Sequence, residues 1–302
     1  MADALKEKVK QLGLDLGADL IGVASAKVLN EAVTSPHRPE DLLPSAASIV
    51  VVALHIPDAS LEAQRREISN FSYNMFGYTH LNREMDSIAY RITRFLENAG
   101  YESLPIPGRG SHYWETKKYH GPFSFRHAAV AAGLAAFGWS GLALTPQFGP
   151  RQRFITVITT APLEPDAALA GNPCLQCFDC IKSCPAGAIT KNPWNCKLGG
   201  KTHTYGTVEG DRCWWVAKGL TTRAWPNAPF NPQVDVPRPE AMTAAAKFKA
   251  LWEDRDARLR CSEHEEGNYG ATLCGRCMIF CKAGRRSMHR RLANGCAEAP
   301  AE

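Results

Sequence analysis

Eight cysteines in the C-terminal half of the chain have the spacing of iron–sulfur ligands. The first four follow the pattern C-x2-C-x2-C-x3-C and precede a proline, and the last four follow C-x12-C-x2-C-x3-C. The first pattern is that of bacterial ferredoxins, in which three thiolates bind one 4Fe–4S cluster and the fourth reaches a second cluster. Applied to both motifs, this crossed scheme predicts one cluster on Cys174, Cys177, Cys180 and Cys281, and another on Cys184, Cys261, Cys274 and Cys277.

Zinc and disulfide bonds are the alternatives for these cysteines. Zinc sites usually pair C-x2-C knuckles without a following proline, and disulfides usually staple the whole of a short secreted chain. Here no cysteine precedes Cys174, which favours clusters, although Lys282 stands where the second motif would usually have its proline. Three cysteines are left over and are expected to be free thiols or packing residues: Cys196, Cys213 and Cys296.

The composition is that of a soluble globular protein. The chain has 302 residues, of which 45% are hydrophobic and 22% charged, and a net charge of +5. Its first 14 residues form a charged amphipathic pattern rather than an export signal, and no run of 18 apolar residues is present. These features predict a cytoplasmic protein with no membrane contact.

Helix and strand patterns alternate in the first half of the chain. The predicted elements are a helix at 5–16, strands at 20–24 and 48–55, a long helix with its apolar face at 85–96, an alanine-rich helix at 123–137 and a strand at 154–159. We therefore expect an α/β domain at 1–165, a proline-rich linker at 162–173, and a cysteine-rich domain at 166–302. An insert at 185–260 holds five of the seven tryptophans.

Three blocks of the first half, together with the cysteine spacing, carry a resemblance to known families. They read GPFSFRHAAV at 121–130, AGLAAFGWSG at 132–141 and LTPQFGPR at 144–151. They resemble the cobalamin-dependent reductive dehalogenases and, in the same order, the epoxyqueuosine reductases. The resemblance implies an α+β chain: a nitroreductase-like α/β cobalamin-binding domain followed by a ferredoxin-like domain with two 4Fe–4S clusters. A Rossmann nucleotide site is not supported, because neither G-x-G-x-x-G nor a P-loop pattern is present.

The resemblance also implies which residues would contact cobalamin. The small and aromatic residues of one turn would approach the flat macrocycle, and two arginines would reach its nucleotide tail: Gly138, Trp139, Ser140, Gly141, Arg151 and Arg153. Taken by themselves, the glycines also fit a tight helix-to-strand turn, and the arginines fit a solvated surface.

A tyrosine is the expected proton donor. Epoxyqueuosine reductases place an aspartate just before the Gly-Pro of the first block, whereas here Tyr119 and His120 occupy that stretch. Reductive dehalogenases use a tyrosine with a basic neighbour, so the resemblance implies catalytic roles for Tyr119, Arg126 and His120. Tyr119 also fits an ordinary packing role. His120 and His127 are not expected to ligate cobalt, because these families bind cobalamin without an axial histidine.

The function implied is that of an oxidoreductase that cleaves a carbon–halogen or carbon–oxygen bond of a small molecule by Co(I) chemistry. Its electrons would come from an external low-potential donor, either a ferredoxin or a flavodoxin. One alternative is a tRNA epoxyqueuosine reductase, whose RNA the basic run at 282–291 could meet, but the missing aspartate counts against it. Another is a non-catalytic iron–sulfur electron carrier.

Overall fold

The structure is a computed structural model that describes residues 2–108, 121–231, 235–243, 245–246, 249 and 274–284. In its first part the elements are α1 (Ala2–Asp15), β1 (Leu20–Ser25), α2 (Ala26–Ala32), α3 (Pro39–Leu42), β2 (Ser48–His55), α4 (Asp58–Arg65), α5 (Phe71–Asn74), a π-helical turn (Met75–Thr79), α6 (His80–Asn98) and β3 (Ser103–Ile106). They continue with α7 (Phe125–Ala131), β4 (Ala136–Phe137), β5 (Ala143–Leu144), β6 (Gln152–Thr159), α8 (Asp179–Lys182), β7 (Ile189–Leu198), β8 (Lys201–Val208), α9 (Gly210–Ala217) and α10 (Arg276–Ile279).

A four-stranded antiparallel sheet forms the centre of the first half. Its strand order is β1-β2-β6-β3, and β2 pairs with β6 along its whole length, from Ser48 opposite Thr159 to His55 opposite Gln152. β2 is rich in β-branched residues and is buried at all positions but the last. A strand that is covered on both faces has this near-continuous apolar sequence.

Helices cover both faces of the sheet. On one face, α1 and α6 pack over alternate strand residues such as Val50, Val52 and Val157, and α6 contributes the apolar stripe predicted from its helical spacing. On the other face, α7 packs over residues such as Ile49 and Val51. The mixed α/β architecture expected for the first half is confirmed. Among the described residues, no helix combines the length and the apolar character required to cross a bilayer.

The alanine-rich helix is shorter than its sequence predicts. We expected it to run over 123–137, but α7 ends at Ala131 and the chain forms β4 a few residues later, paired with β5. Gly133 has a φ of +68°, and a Cβ at this position would lie 2.0 Å from the carbonyl oxygen of Ala167. The close passage of residues 167–168 therefore fixes a left-handed residue here, which ends the helix.

The proline-rich segment at 162–173 has no regular secondary structure, but one carboxylate attaches it to the first half of the chain. Asp166 lies 2.8 Å from the Lys6 ammonium and 3.1 Å from that of Lys10, and it accepts the Val23 amide at 2.9 Å. Burial opposes ionisation of this carboxyl, yet the hydrogen bonds from these three groups outweigh it and hold its pKa below the ordinary value. The division into domains at 1–165 and 166–302 stays a prediction.

Asp166→Asn is expected to lower the free energy of unfolding by about 1 kcal/mol, because it removes the charge that two half-buried lysines share. A lowered carboxyl pKa stabilises the fold fully above the ordinary pKa and loses this effect only as the pH falls through the folded value. The difference in the free energy of unfolding between D166N and the unaltered protein should therefore be constant between pH 6 and 8. Anaerobic thermal unfolding of D166N tests this against Asp15→Asn on exposed α1, and equal melting temperatures for the two variants would refute it.

The insert contains a long β-hairpin and two buried tryptophans. β7 and β8 pair with each other and are connected by Gly199 and Gly200. Cys196 and Leu198 of β7 pack into the core on the α7 side of the sheet. Trp215 is 4% exposed and Trp225 is fully buried. Part of the tryptophan enrichment therefore reflects interior packing.

Candidate metal centre

Four cysteines from the two distant motifs surround one pocket. They are the four that the crossed scheme assigns to the first cluster: Cys174, Cys177, Cys180 and Cys281. Gly138, Trp139 and Ser140 form another part of the same wall. Among the described residues, no three His, Cys, Asp or Glu side chains form a group suited to a single metal ion. The structure thus brings together thiols that lie about a hundred residues apart in sequence, around a space shared with the Gly138 turn.

Two short helices present these cysteines in the same way. α8 begins after Phe178 and α10 after Gly275, and both preceding residues have left-handed backbone conformations, with φ of +57° and +60°. The two helices pack against each other. Phe178 adopts a conformation that costs a non-glycine residue about 1–2 kcal/mol, so the surrounding loop must hold it there. Each helix places its last motif cysteine beyond one helical turn, where it can face the partner motif.

Backbone amides donate to several of the cysteine sulfurs, including those of Cys174 and Cys184. The Trp139 amide lies 3.4 Å from the Cys174 sulfur, and the Ala188 amide lies 3.3 Å from the Cys184 sulfur. Hydrogen bonds to sulfur favour the thiolate form and help to set the reduction potential of iron–sulfur clusters. Both sulfurs therefore already have the kind of donor that cluster ligands use.

A second group of thiols includes a cysteine that the motif spacing did not select. Burial is the main cause that raises the pKa of the Cys274 thiol, to about 12, and the neighbouring Cys213 and Cys184 thiols raise it further. Burial is also the main cause that raises the pKa of Cys277 well above its ordinary value, and the Cys274, Cys213 and Cys184 thiols and Cys180 of the first motif raise it further. Cys213 is accessible to solvent, but enough protein surrounds its thiol to raise its pKa as well. The Cys213 thiol is therefore near enough to Cys184, Cys274 and Cys277 for their charges to interact.

Several predicted residues lie outside the described part of the chain. They are Tyr119 and His120 of the expected proton-donor stretch, Cys261 of the second motif, the leftover Cys296, and residues 285–291 of the basic run. The roles predicted for them stay predictions. His127 is described: its Nδ1 lies 2.6 Å from the Ser124 hydroxyl, in the first turn of α7.

An ion pair connects the two motifs where the usual proline is missing. The Lys282 ammonium lies 2.9 Å from the carboxylate of Asp179, which stands between Cys177 and Cys180. The hydrogen bond from Lys282 is the largest cause that lowers the pKa of this carboxyl. Lys282 is therefore a partner of the first motif, and the departure from the ferredoxin pattern has a structural role.

Arg151 lies beneath the second motif. It is 3% exposed, and its guanidinium donates to the carbonyl of Ala283 at 2.7 Å, to that of Phe148 at 3.1 Å and to that of Cys281. Three carbonyl partners within the protein make Arg151 a support for the loop that carries Cys281. The cobalamin contact implied for Arg151 stays a prediction.

Arg151→Met is expected to lower the free energy of unfolding by about 2–3 kcal/mol, because it leaves buried carbonyls without their charged donor. The same change should speed the loss of iron to a chelator, since the Cys281 loop loses its support. Arg94→Met is the matched control, because Arg94 is half exposed and pairs with Glu97 on the surface of α6. If both variants lose iron at the rate of the unaltered protein, Arg151 does not support the site.

Arg153 faces two aromatic residues and an amide on the α6 side of the sheet. Its guanidinium carbon lies 3.9 Å from the centre of the Tyr78 ring, and its Nε donates to the Asn82 side-chain oxygen at 2.7 Å. Tyr73 lies beside Tyr78, and burial is the main cause that raises the pKa of its phenol. A Cβ on Gly275, between Cys274 and Cys277, would lie 3.4 Å from the Tyr73 hydroxyl. Tyr73 thus adjoins the loop between Cys274 and Cys277, and the Arg153 charge acts on its phenol.

The turn at 138–141 connects β4 to β5 and also reaches the first pocket. The Gly138 amide donates to the Leu142 carbonyl, and the Gly141 amide donates to the Gly138 carbonyl, each at 2.8 Å. Gly141 has a φ of +73°. The Trp139 indole donates to the Thr190 carbonyl at 2.9 Å. A tight turn is therefore present, but it connects two strands and not the helix and strand expected as the alternative. A corrinoid contact for these residues stays a prediction.

Arg126 stands at the other side of the same turn. Its guanidinium donates to the Gly141 carbonyl, and burial is the main cause that lowers its pKa, while the nearby Tyr205 phenol opposes this. The cation therefore has a fixed position next to the turn. The catalytic role implied for Arg126 stays a prediction, since Tyr119 lies outside the described residues.

No family model matches the chain. A tetrachloroethene reductive dehalogenase from Desulfitobacterium hafniense is 30% identical over 185 residues, which cover 57% of this chain and 30% of that relative. An epoxyqueuosine reductase from Bacillus subtilis (strain 168) is 25% identical over 216 residues, which cover 63% of this chain and 52% of that relative. The chain thus spans about a third to a half of the length of these curated relatives.

Solved structures from both families share the fold of the chain. A variant of the catabolic reductive dehalogenase NpRdhA aligns with a TM-score of 0.55 and 16% identity, over 92% of this chain and 38% of that structure. An identity this low establishes the fold alone, and the sequence relatives add common ancestry. The resemblance drawn from the three blocks is therefore confirmed: the chain is related to both the tetrachloroethene reductive dehalogenases and the epoxyqueuosine reductases.

Proposed function

We propose that this chain is a cobalamin- and iron–sulfur-dependent reductase that cleaves a carbon–halogen or carbon–oxygen bond. One observation carries the proposal: cysteines from two distant motifs surround a pocket whose wall also contains the Gly138–Ser140 turn. That turn belongs to one of the blocks shared with both reductase families. The arrangement supports a cluster that adjoins the α/β half.

Two 4Fe–4S clusters fit the thiols that the structure brings together. The first would be held by Cys174, Cys177, Cys180 and Cys281. For the second, we propose Cys184, Cys274, Cys277 and Cys213, because these four thiols are mutual neighbours. Cys261 stays the competing fourth ligand that the motif spacing predicts. The clusters and a bound corrinoid would supply low-potential electrons and a nucleophilic metal, chemistry that side chains lack.

The protein itself would supply positioning and a proton. Arg153 lies against the Tyr78 ring, where a guanidinium stabilises the negative charge that a phenol gains when it gives up its proton. Tyr119 is the donor that the resemblance implies, so the chain offers two tyrosines for one role. The contact with Arg153 supports Tyr78 for this role.

Anaerobic reconstitution with iron, sulfide and cobalamin tests the proposal, followed by turnover with a reduced flavodoxin as donor. We expect reduction of an organohalide panel, with halide release, to require both metals. An epoxyqueuosine-modified anticodon stem loop, assayed in parallel, tests the second candidate, which the Bacillus relative favours. A protein that binds both cofactors, exchanges electrons and turns over neither substrate class would be an electron carrier.

A further inference from the structure

The first thiol group lies at the protein surface. Leu175 and Gln176, between Cys174 and Cys177, are both exposed, and Leu175 is 62% exposed. Lys182 follows Cys180 and Lys282 follows Cys281, and their side chains are 74% and 57% exposed. Residues adjacent to the ligands of this group are therefore open to a partner. We call the surface formed by Leu175, Lys182 and Lys282 the cluster rim.

The second thiol group adjoins the apolar interior through Cys274, whereas Cys213 is exposed. Cys274 packs against a buried apolar cluster that includes Tyr73 and Trp225. The Tyr73 hydroxyl in turn lies against Gly275, between Cys274 and Cys277. An electron that enters at the cluster rim can thus pass inward to the second group.

The rim itself has more cations than anions. The ammonium groups of Lys182 and Lys282 lie 3.6 Å and 2.9 Å from the carboxylate of Asp179, so two lysines share one acidic side chain. Lys191 lies near the start of β7, which packs beside α8, and adds a third cation on this side. Lys197 and Lys201 flank the turn of the hairpin, at the opposite end of β7.

We propose that the cluster rim is the docking face for a small acidic electron-transfer protein. An apolar centre flanked by lysines fits such a partner, since electron-transfer encounters use small, weak interfaces that are steered by opposite charge. The inference rests on the proposed function, because the rim has this use only if the cysteines hold a redox cluster. It names where the electrons enter and what kind of protein delivers them.

Stopped-flow reduction of the reconstituted protein by an acidic reduced flavodoxin tests the docking face. At low salt, Lys182→Glu should lower the second-order rate constant about threefold and the K182E/K282E double variant about tenfold. Asp179→Asn should raise the second-order rate constant of reduction by flavodoxin. Lys8→Glu, which makes the same charge change on exposed α1, should leave it unchanged. The differences should shrink at high salt, because screening weakens steering.

Reduction by photoreduced 5-deazariboflavin, which is small and uncharged, separates docking from damage to the cluster. We expect the same rate with K182E as with the unaltered protein. Slowing by K182E with this reductant, or equal flavodoxin rates for K182E and K8E, would overturn the inference. Weaker binding of an anticodon stem loop by K182E, with flavodoxin reduction unchanged, would instead assign the rim to RNA. Failure of the unaltered protein to acquire clusters would count against the proposed function itself.

Discussion

Cys213→Ala is expected to halve the iron content of the anaerobically reconstituted protein, from about eight to about four irons per chain. The reason is that Cys213 shares its surroundings with Cys184, Cys274 and Cys277, so its removal leaves the second cluster one ligand short. Iron and acid-labile sulfide analysis measures the change. EPR of the reduced protein should show one interacting cluster fewer, with the signal of the first cluster retained.

Two matched variants decide between the structural and the sequence-based assignment. Cys261→Ala should keep about eight irons if Cys213 is the ligand. Cys196→Ala should do so in either case, because Cys196 of β7 is buried in the core on the α7 side. The opposite pattern, with full iron in C213A and half in C261A, would restore the ligand set that the motif spacing predicts.

Tyr78→Phe is expected to lower turnover of the reconstituted enzyme by about 10²-fold or more, the usual contribution of a positioned general acid. The phenylalanine keeps the ring that Arg153 contacts and removes only the proton that the phenol can donate. Cobalt and iron contents should not change. A solvent-isotope effect and the pH dependence of turnover would separate a lost proton donor from a displaced substrate.

Tyr119→Phe provides the comparison for this prediction. If Tyr78 is the donor, the Tyr119 variant should retain turnover within a few-fold of the unaltered enzyme. Full activity in Y78F together with a loss of about 10²-fold in Y119F would return the role to the tyrosine that the resemblance implies. Loss in both variants would show that the two phenols act in one relay.

The sequence predicts well those elements whose pattern is local. The strand expected at 48–55 has the bounds of β2, because a run of β-branched residues between turn signals needs no distant partner to be recognised. The long helix was recognised from its apolar stripe for the same reason. The alanine-rich segment was misjudged, because its end depends on backbone packed against Gly133 from the following linker.

In the candidate site, too, the local patterns were predictable from the sequence and the long-range contacts were not. Seven of the eight motif cysteines are described, and the four assigned to the first cluster meet, because ferredoxin spacing encodes a local wrap around one cluster. Cys213 has no motif of its own, and only the packing of α9 brings it to the second group. The roles of Lys282 and Arg151 likewise depend on partners at Asp179 and Ala283, far away in the sequence.

The contacts of Arg153 with Tyr78 and Asn82 are another feature that no sequence pattern predicts. Its partner Tyr78 lies in the π-helical turn that precedes α6, and Asn82 lies one turn later. Sequence reasoning assigned Arg153 to a cofactor contact, because arginines in such blocks often bind phosphate. The stacking on Tyr78 adds a second use for the same cation, close to the second thiol group.

The most direct test of the account is metal analysis of the anaerobically reconstituted protein, with iron, sulfide, zinc and cobalt measured on the same sample. The account predicts about eight irons and eight sulfides per chain, about one cobalt after incubation with cobalamin and gel filtration, and no zinc. Folded protein that takes up zinc in place of iron, or that holds iron but never retains cobalt, would contradict it.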